Sequence, residues 1–202
     1  MGRLRSFNED EVLRAARDHF WDAGYEGTST YDLMHVMGLG KGSIYKAFGN
    51  KHDLYMRVFS DYCQDLVSQA QQALTADTAS PRRRLEEYLI SLAHLFSSES
   101  PRRGCFLTNA TTDRAGKDPA VAEQSKRAFD GIAAEIASAL RAAQVAGEVD
   151  PEASATEWGY LLLSVIRGID TLARAGVEEP VLTNTARAAL EMLPARRTET
   201  PC

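Results

Sequence analysis

The chain has 202 residues, 44% of them hydrophobic and 25% charged, with a formal net charge of −5 and a sequence pI of about 5.4. These values describe an ordinary globular protein and exclude one that coats nucleic acid nonspecifically through an overall basic surface. No apolar run reaches membrane-spanning length and the N-terminus lacks a signal-peptide core, so a cytoplasmic location with no membrane partner is expected.

Nearly every segment reads as helix, because no stretch shows sustained period-two alternation bounded by turn residues. Asn8 followed by Glu9-Asp10-Glu11 opens a first helix as a cap, with Phe7 and Val12 placed as a hydrophobic staple. Val12, Ala16, Phe20 and Ala23 form its apolar stripe and Gly24 its stop. Ser29-x-x-Asp32 caps a second helix that points Leu33, Val36 and Met37 inward and ends at Gly38. A brief third helix is expected over Lys41 to Phe48, anchored by Ile44 and Phe48, and a long fourth from Lys51 to Leu74. Further helices are expected near Pro81–Phe96, Arg103–Arg114, Pro119–Ala146, Glu152–Ala175 and Pro180–Leu193. Pro81, Pro101, Pro119, Pro151 and Pro180 lie near those starts, where proline suits the first turn. Residues 195–202 read as a disordered tail.

Charge singles out one region. From Leu33 to His52 there is no Asp or Glu, while Lys41, Lys46 and Lys51 fall inside; Arg3 and Arg5 form a second small basic site. Two short helices joined by a glycine turn, the second polar on one face, suit insertion of that second helix into the major groove. Gly42 and Ser43 are small enough to meet the groove wall, and Ser43, Tyr45 and Lys46 can reach phosphates or base edges. Lys51, with the free amides of the helix it opens, can hold a phosphate, as can Thr28 and Ser29 at the preceding helix start. Lys41 completes this set.

Gly24-Tyr25, Thr28-Ser29, Asp32-Leu33, Gly38-Leu39, Lys41-Gly42-Ser43-Ile44-Tyr45, Phe48, Lys51 and Leu54-Tyr55 together resemble the N-terminal signature of the TetR/AcrR transcriptional regulators. Arg103-Gly104-Cys105-Phe106-Leu107-Thr108-Asn109-Ala110 also resembles a segment of one AcrR-like branch. The resemblance implies an all-α protein with a three-helix helix-turn-helix DNA-binding domain over residues 1–52 and a larger helical effector-binding and dimerisation domain over 53–194. It further implies double-stranded operator DNA, a second copy of the chain and a small apolar or aromatic effector as partners, with no cofactor. The sequence departs from the family pattern at Gly40, where a capping Ser is common, and at Lys46-Ala47, where many relatives carry His or Tyr and then an aromatic residue. Its base preference is therefore its own.

Trp158, Leu162, Val165, Ile169 and Leu172 recur at spacings of four and three, and Leu182, Ala186, Ala189 (or Leu190) and Leu193 give a shorter seam. With Leu161 these residues read as a four-helix dimer interface, which the family resemblance supports, with Gly159 and Gly168 allowing close approach. By spacing alone the same stripes serve equally as the chain's own core. The effector region implied by the resemblance holds Tyr62, Leu66, Tyr88, Leu92, Phe96, Cys105, Phe106, Asn109, Phe129, Trp158 and Leu162, with His94 another polar residue placed inward. Cys105 admits a second reading as a redox- or electrophile-sensing thiol, since it stands at a helix start after Arg102 and Arg103. Cys63 reads as core and Cys202 as a tail thiol. His19, His35, His52 and His94 are scattered, there is no CxxC, HExxH or nucleophile elbow, and no metal spacing, so an enzyme is not expected.

Overall fold

The computed structural model describes residues 8–76, 79–98 and 103–195. The Phe7 staple, the arm with Arg3 and Arg5, Pro101, Arg102, Cys202 and all of the expected tail except Ala195 lie outside these residues. Among the described residues the chain forms nine α-helices and no strand: α1 (Glu9–Ala23), α2 (Thr30–Met37), α3 (Lys41–Phe48), α4 (Lys51–Thr75), α5 (Pro81–Ser97), α6 (Phe106–Arg114), α7 (Pro119–Val145), α8 (Ala155–Arg174) and α9 (Glu179–Glu191).

Local chemistry explains the boundaries. Asn8 caps α1 by accepting from the Asp10 amide, and Ser29 and Asp32 complete a reciprocal capping box on α2. Gly38 ends α2 in the left-handed region, at φ 62°, which a side chain would resist. Asn50 and Asp53 form a second capping box on α4. Pro81 and Pro119 open α5 and α7, whereas Pro151 precedes α8, which starts later behind the Ser154 cap. The expected α6 start at Arg103 is moved to Phe106, because Gly104 takes a positive φ of 62° that a right-handed helix does not allow.

Helices α1, α2 and α3 pack as a small N-terminal unit. Helix α4 packs on α1, and further along on α7. Helices α5, α7, α8 and α9 pack on one another, and the buried side chains of both units join in one cluster. Gly159 permits the close crossing of α7 and α8: a Cβ there would lie 2.6 Å from the Ala133 carbonyl oxygen. A Cβ on Gly168 would meet nothing within 4 Å, so within one protomer this glycine serves no close crossing.

The dimer seam read from spacing is corrected by burial. Leu162, Ile169, Leu182, Ala186, Leu190 and Leu193 are all buried against the chain's own helices. They fill the space between α8, α9 and α5 and have no surface left to offer a second copy. The large apolar residues left exposed on α8 are Tyr160, Leu161 at 46% and Leu172 at 42%; on α9 Val181 is exposed, and Met192 just after it. Val165 is half-buried.

Candidate nucleic-acid interface and regulatory cavity

The third helix is fastened to the protein by Ile44, its one fully buried residue, with Phe48 half-buried beside it. That attachment leaves Lys41, Gly42, Ser43, Tyr45 and Lys46 exposed on the outer side. Gly40 caps α3 without any side-chain hydrogen bond, as its lack of a hydroxyl requires. A Cβ on Gly42 would meet nothing within 4 Å, so internal packing does not call for glycine there. The Tyr45 hydroxyl is 3.4 Å from Thr30 Oγ1 at the start of α2, and Lys41 Nζ stands 5.7 Å from the Tyr45 ring centroid. Beside them Tyr31 is 75% exposed, a large aromatic that the sequence reading left out. Its only sequence signal was its position next to the cap, where β-branched and small residues drew attention first.

Three residues read as phosphate holders are engaged elsewhere. Thr28 is 1% exposed and its hydroxyl donates to the Gly24 carbonyl at 2.7 Å, so it closes the turn between α1 and α2. The Ser29 hydroxyl is exposed but donates to Asp32 Oδ2 at 2.6 Å. Lys51 Nζ donates to the Thr28 carbonyl at 2.6 Å and lies 4.2 Å from the Tyr25 ring centroid, which makes it a staple from α4 to the same turn. The amides at the starts of α2 and α4 donate to their own capping side chains, and Asp32 and Asp53 place a carboxylate at each. Neither helix end is an open anion site.

The N-terminal unit meets the rest of the chain at a polar junction around Tyr25. Arg114 stacks on the Tyr25 ring at 3.9 Å and binds Glu26 Oε1 at 2.6 Å and Asp118 Oδ2 at 3.0 Å. His52 Nε2 reaches the same Asp118 oxygen at 2.9 Å. Burial raises the Asp118 pKa, but the hydrogen bonds from Arg114, His52 and the Val121 amide outweigh it and hold the carboxyl below its ordinary value. Beneath lies an aromatic cluster: Phe20 and Tyr25 meet Tyr55 at centroid distances of 5.1 and 5.0 Å, and Phe59 meets Phe106 at 5.5 Å. Burial pushes the Tyr55 hydroxyl well above its usual range.

The residues expected around an effector are brought only partly together. Tyr62, Phe96 and Cys105 share a cavity of about 260 Å³ with Trp21, Leu95, Ser98, Arg103 and Gly104. Phe106 and Asn109 line a second cavity of about 250 Å³, between the end of α1 and α6. Asn109 spends its amide on the Arg103 carbonyl and accepts from Arg174. Leu162 is fully buried core, and Leu66, Leu92, Phe129 and Trp158 pack half-buried against that core. Burial pushes the half-buried Tyr88 hydroxyl up to about 12. His94 is exposed and pairs with Glu179 at 2.7 Å.

Cys105 is buried, with Arg167 Nη1 3.2 Å and Tyr62 Oη 3.5 Å from its sulfur. The guanidinium facing the thiol therefore comes from α8. Arg103, the neighbour in sequence, is turned instead onto Trp21 of α1. Cys63 is buried, and loss of water raises its thiol to about 12, so it is inert packing as expected. Among the described residues no group of three His, Cys, Asp or Glu could hold a metal ion, and no helix is long and apolar enough to cross a membrane.

Residues 12–58 match the model for bacterial regulatory proteins of the tetR family. Residues 81–189 match the model for the tetracyclin repressor-like C-terminal domain. The HTH-type transcriptional repressor ComR of Escherichia coli is 28% identical over 193 residues, covering 96% of this chain and 92% of that protein. A cysteine mutant of the TetR family regulator CifR, solved on 26-bp double-strand operator DNA, superposes with a TM-score of 0.83 at 26% identity over 96% of this chain and 100% of that one. Reduced Escherichia coli NemR shares the fold, with a TM-score of 0.84 at 14% identity over 94% of this chain and 98% of that one. Two family models divide the chain between them, the basic exposed α3 lies within the first, and the relatives are named regulators: the chain belongs to the TetR family of bacterial transcriptional regulators.

Proposed function

We propose that the protein is a cytoplasmic, homodimeric repressor that binds a partly palindromic operator through α3 and leaves it when a small apolar or aromatic effector enters the regulatory helices. The observation that carries this reading is the exposed face of α3. Lys41, Ser43, Tyr45 and Lys46 project from a helix held by one buried side chain, in a window free of carboxylates from Leu33 to His52. Residues 1–52 act as the DNA-binding domain, with Tyr31 added to the contact set in place of Thr28 and Lys51. Residues 53–194 carry the effector and the partner copy. Because α4 packs on both units, a shift of its regulatory half displaces α1 and with it α3; coupling of about 1–3 kcal/mol is typical of such switches.

Selection of bound sequences from random DNA tests the proposal. A paired, inverted half-site should emerge, and Lys46→Ala and Tyr45→Ala should weaken binding to it. An unenriched pool, or full binding by both variants, refutes it.

A second reading is favoured by the Arg167–Cys105 contact. A buried thiol facing a guanidinium and bordering a cavity is placed to react, and the donor can hold charge that develops on sulfur. With N-ethylmaleimide as probe, the sulfur adds to the maleimide double bond and the thiol proton ends on the adjacent ring carbon. If this thiol is the switch, the reagent releases DNA from the parent protein and leaves the Cys105→Ser protein bound.

A further inference from the structure

The lead-in to α6, residues Arg103 to Cys105, is tied on one side to a single turn of α1. The Gly104 carbonyl accepts from Trp21 Nε1 at 3.0 Å. Arg103 lies 4.2 Å from the Trp21 ring centroid, donates to the Asp18 carbonyl at 2.9 Å, and pairs with the Asp18 and Asp22 carboxylates at 3.3 and 2.8 Å. On its other side the same segment is tied to α8. The Cys105 amide donates to Asp170 Oδ1 at 3.2 Å, and Arg167 donates to the Cys105 sulfur. Asn109, which holds the Arg103 carbonyl, accepts from Arg174. Gly104 adopts a positive φ of 62°, and a Cβ added there would lie 2.3 Å from Arg174 Cδ, so only glycine fits beneath that side chain.

We propose that Trp21 and Arg103 are positioning residues that fix the angle of the DNA-binding unit on the regulatory helices along a route that bypasses α4. The ion pairs to Asp18 and Asp22 are exposed enough to add little stability. What the strap supplies is direction. An indole N–H and a guanidinium hold α1 from one side, and α1 carries α2 and α3 with it. Movement of α8 is transmitted through Asp170 and Cys105 to the Gly104 carbonyl and so to Trp21. This inference rests on the homodimeric reading, since the angle matters by setting the distance between two reading helices.

The experiment is operator selection with the spacing between half-sites left free. Trp21→Phe keeps an aromatic ring against Tyr62 and Phe106 but removes the N–H donor together with part of the ring area under Arg103. It should select the parent's half-site bases. Its discrimination between the best spacing and one a base pair longer or shorter should fall about three- to tenfold, the scale of one lost hydrogen bond. Arg103→Gln should act alike, and Arg103→Lys, which keeps a charge beside Asp22, should recover part of the loss. Arg103 is half-buried beside a cavity and no member of the apolar core, so its variants decide the matter if Trp21→Phe does not fold. Unchanged spacing preference in the variants, or uniform loss of binding in step with thermal stability, overturns the proposal while leaving the operator reading intact. A parent that selects no paired half-sites overturns both.

Discussion

At the scale of single residues, Gly42 separates what the fold needs from what the DNA face needs. Glycine inside a helix costs up to about 1 kcal/mol against alanine, and nothing inside the protein occupies the place a methyl would take. Gly42→Ala is therefore expected to raise the thermal midpoint and weaken operator binding, two changes of opposite sense read by melting and by titration of labelled DNA. Thr28 gives the contrasting case. Thr28→Val strands the Gly24 carbonyl inside the turn and should lower stability by about 1 kcal/mol. It should leave the slope of operator affinity against salt unchanged, whereas Lys46→Ala should reduce that slope by about one. The two residues could not be ranked from sequence. Hydroxyls and ammoniums that cap and staple have the same chemistry as those that bind phosphate, and only burial tells them apart. Lys46 is exposed and stays in the proposed contact set, whereas Lys51 donates to a backbone carbonyl, which nothing in the sequence marks.

At the scale of elements, the helices themselves were readable because their ends are written in local chemistry. Caps at Asn8, Ser29 and Asn50, the left-handed Gly38 and the prolines at 81 and 119 act within one turn of where they occur. The two misplaced starts were decided from afar or by a competing cap. Gly104, packed beneath Arg174 seventy positions later, takes a positive φ that bars an earlier start to α6, and Ser154 caps α8 in preference to an earlier start at Glu152. The α8 seam was divided by burial: Leu162 and Ile169 are core, while Leu161 and Leu172 remain exposed. Its heptad spacing is real, but the period of a stripe does not say whether the facing helices belong to the same chain. Close approach was better marked. Gly159→Ala would drive a methyl onto the Ala133 carbonyl, and it should cost about 1–3 kcal/mol in denaturant unfolding as α7 and α8 separate. Gly168→Ala, with open space around it, should cost the monomer fold nothing of the kind.

For the whole molecule, two contacts decide how the parts act together: the polar junction within a chain and, in the proposed dimer, the apolar face between chains. At the junction, the folded-state pKa of Asp118 is depressed, so its contribution is present above the ordinary carboxylate value, about 3.9, and is lost as pH falls through the lower folded value. Asp118→Asn keeps the cap on α7, because asparagine caps as well as aspartate. Melting curves from pH 3 to pH 7 should therefore fall less steeply on the acid side for this variant than for the parent. Between chains, burial divides α8 into two faces. Ile169 is 2% exposed, and a charge there would enter the core, so Ile169→Glu should unfold the chain at any concentration. Leu161 and Leu172 stand on the adjoining, exposed face in line with Gly168, whose missing side chain leaves room for a partner helix in the proposed dimer. A stable pair needs roughly 1,200 Å² or more of shared surface, which a continuous face along α8 and α9 can supply only if it stays apolar. Leu161→Glu with Leu172→Glu should thus yield a monomer by sedimentation whose thermal midpoint has lost only the part that depends on protein concentration. That monomer should bind a single half-site about as well as one parent subunit does, and the full operator far more weakly. A dimer that survives both charges would place the interface elsewhere on the regulatory helices.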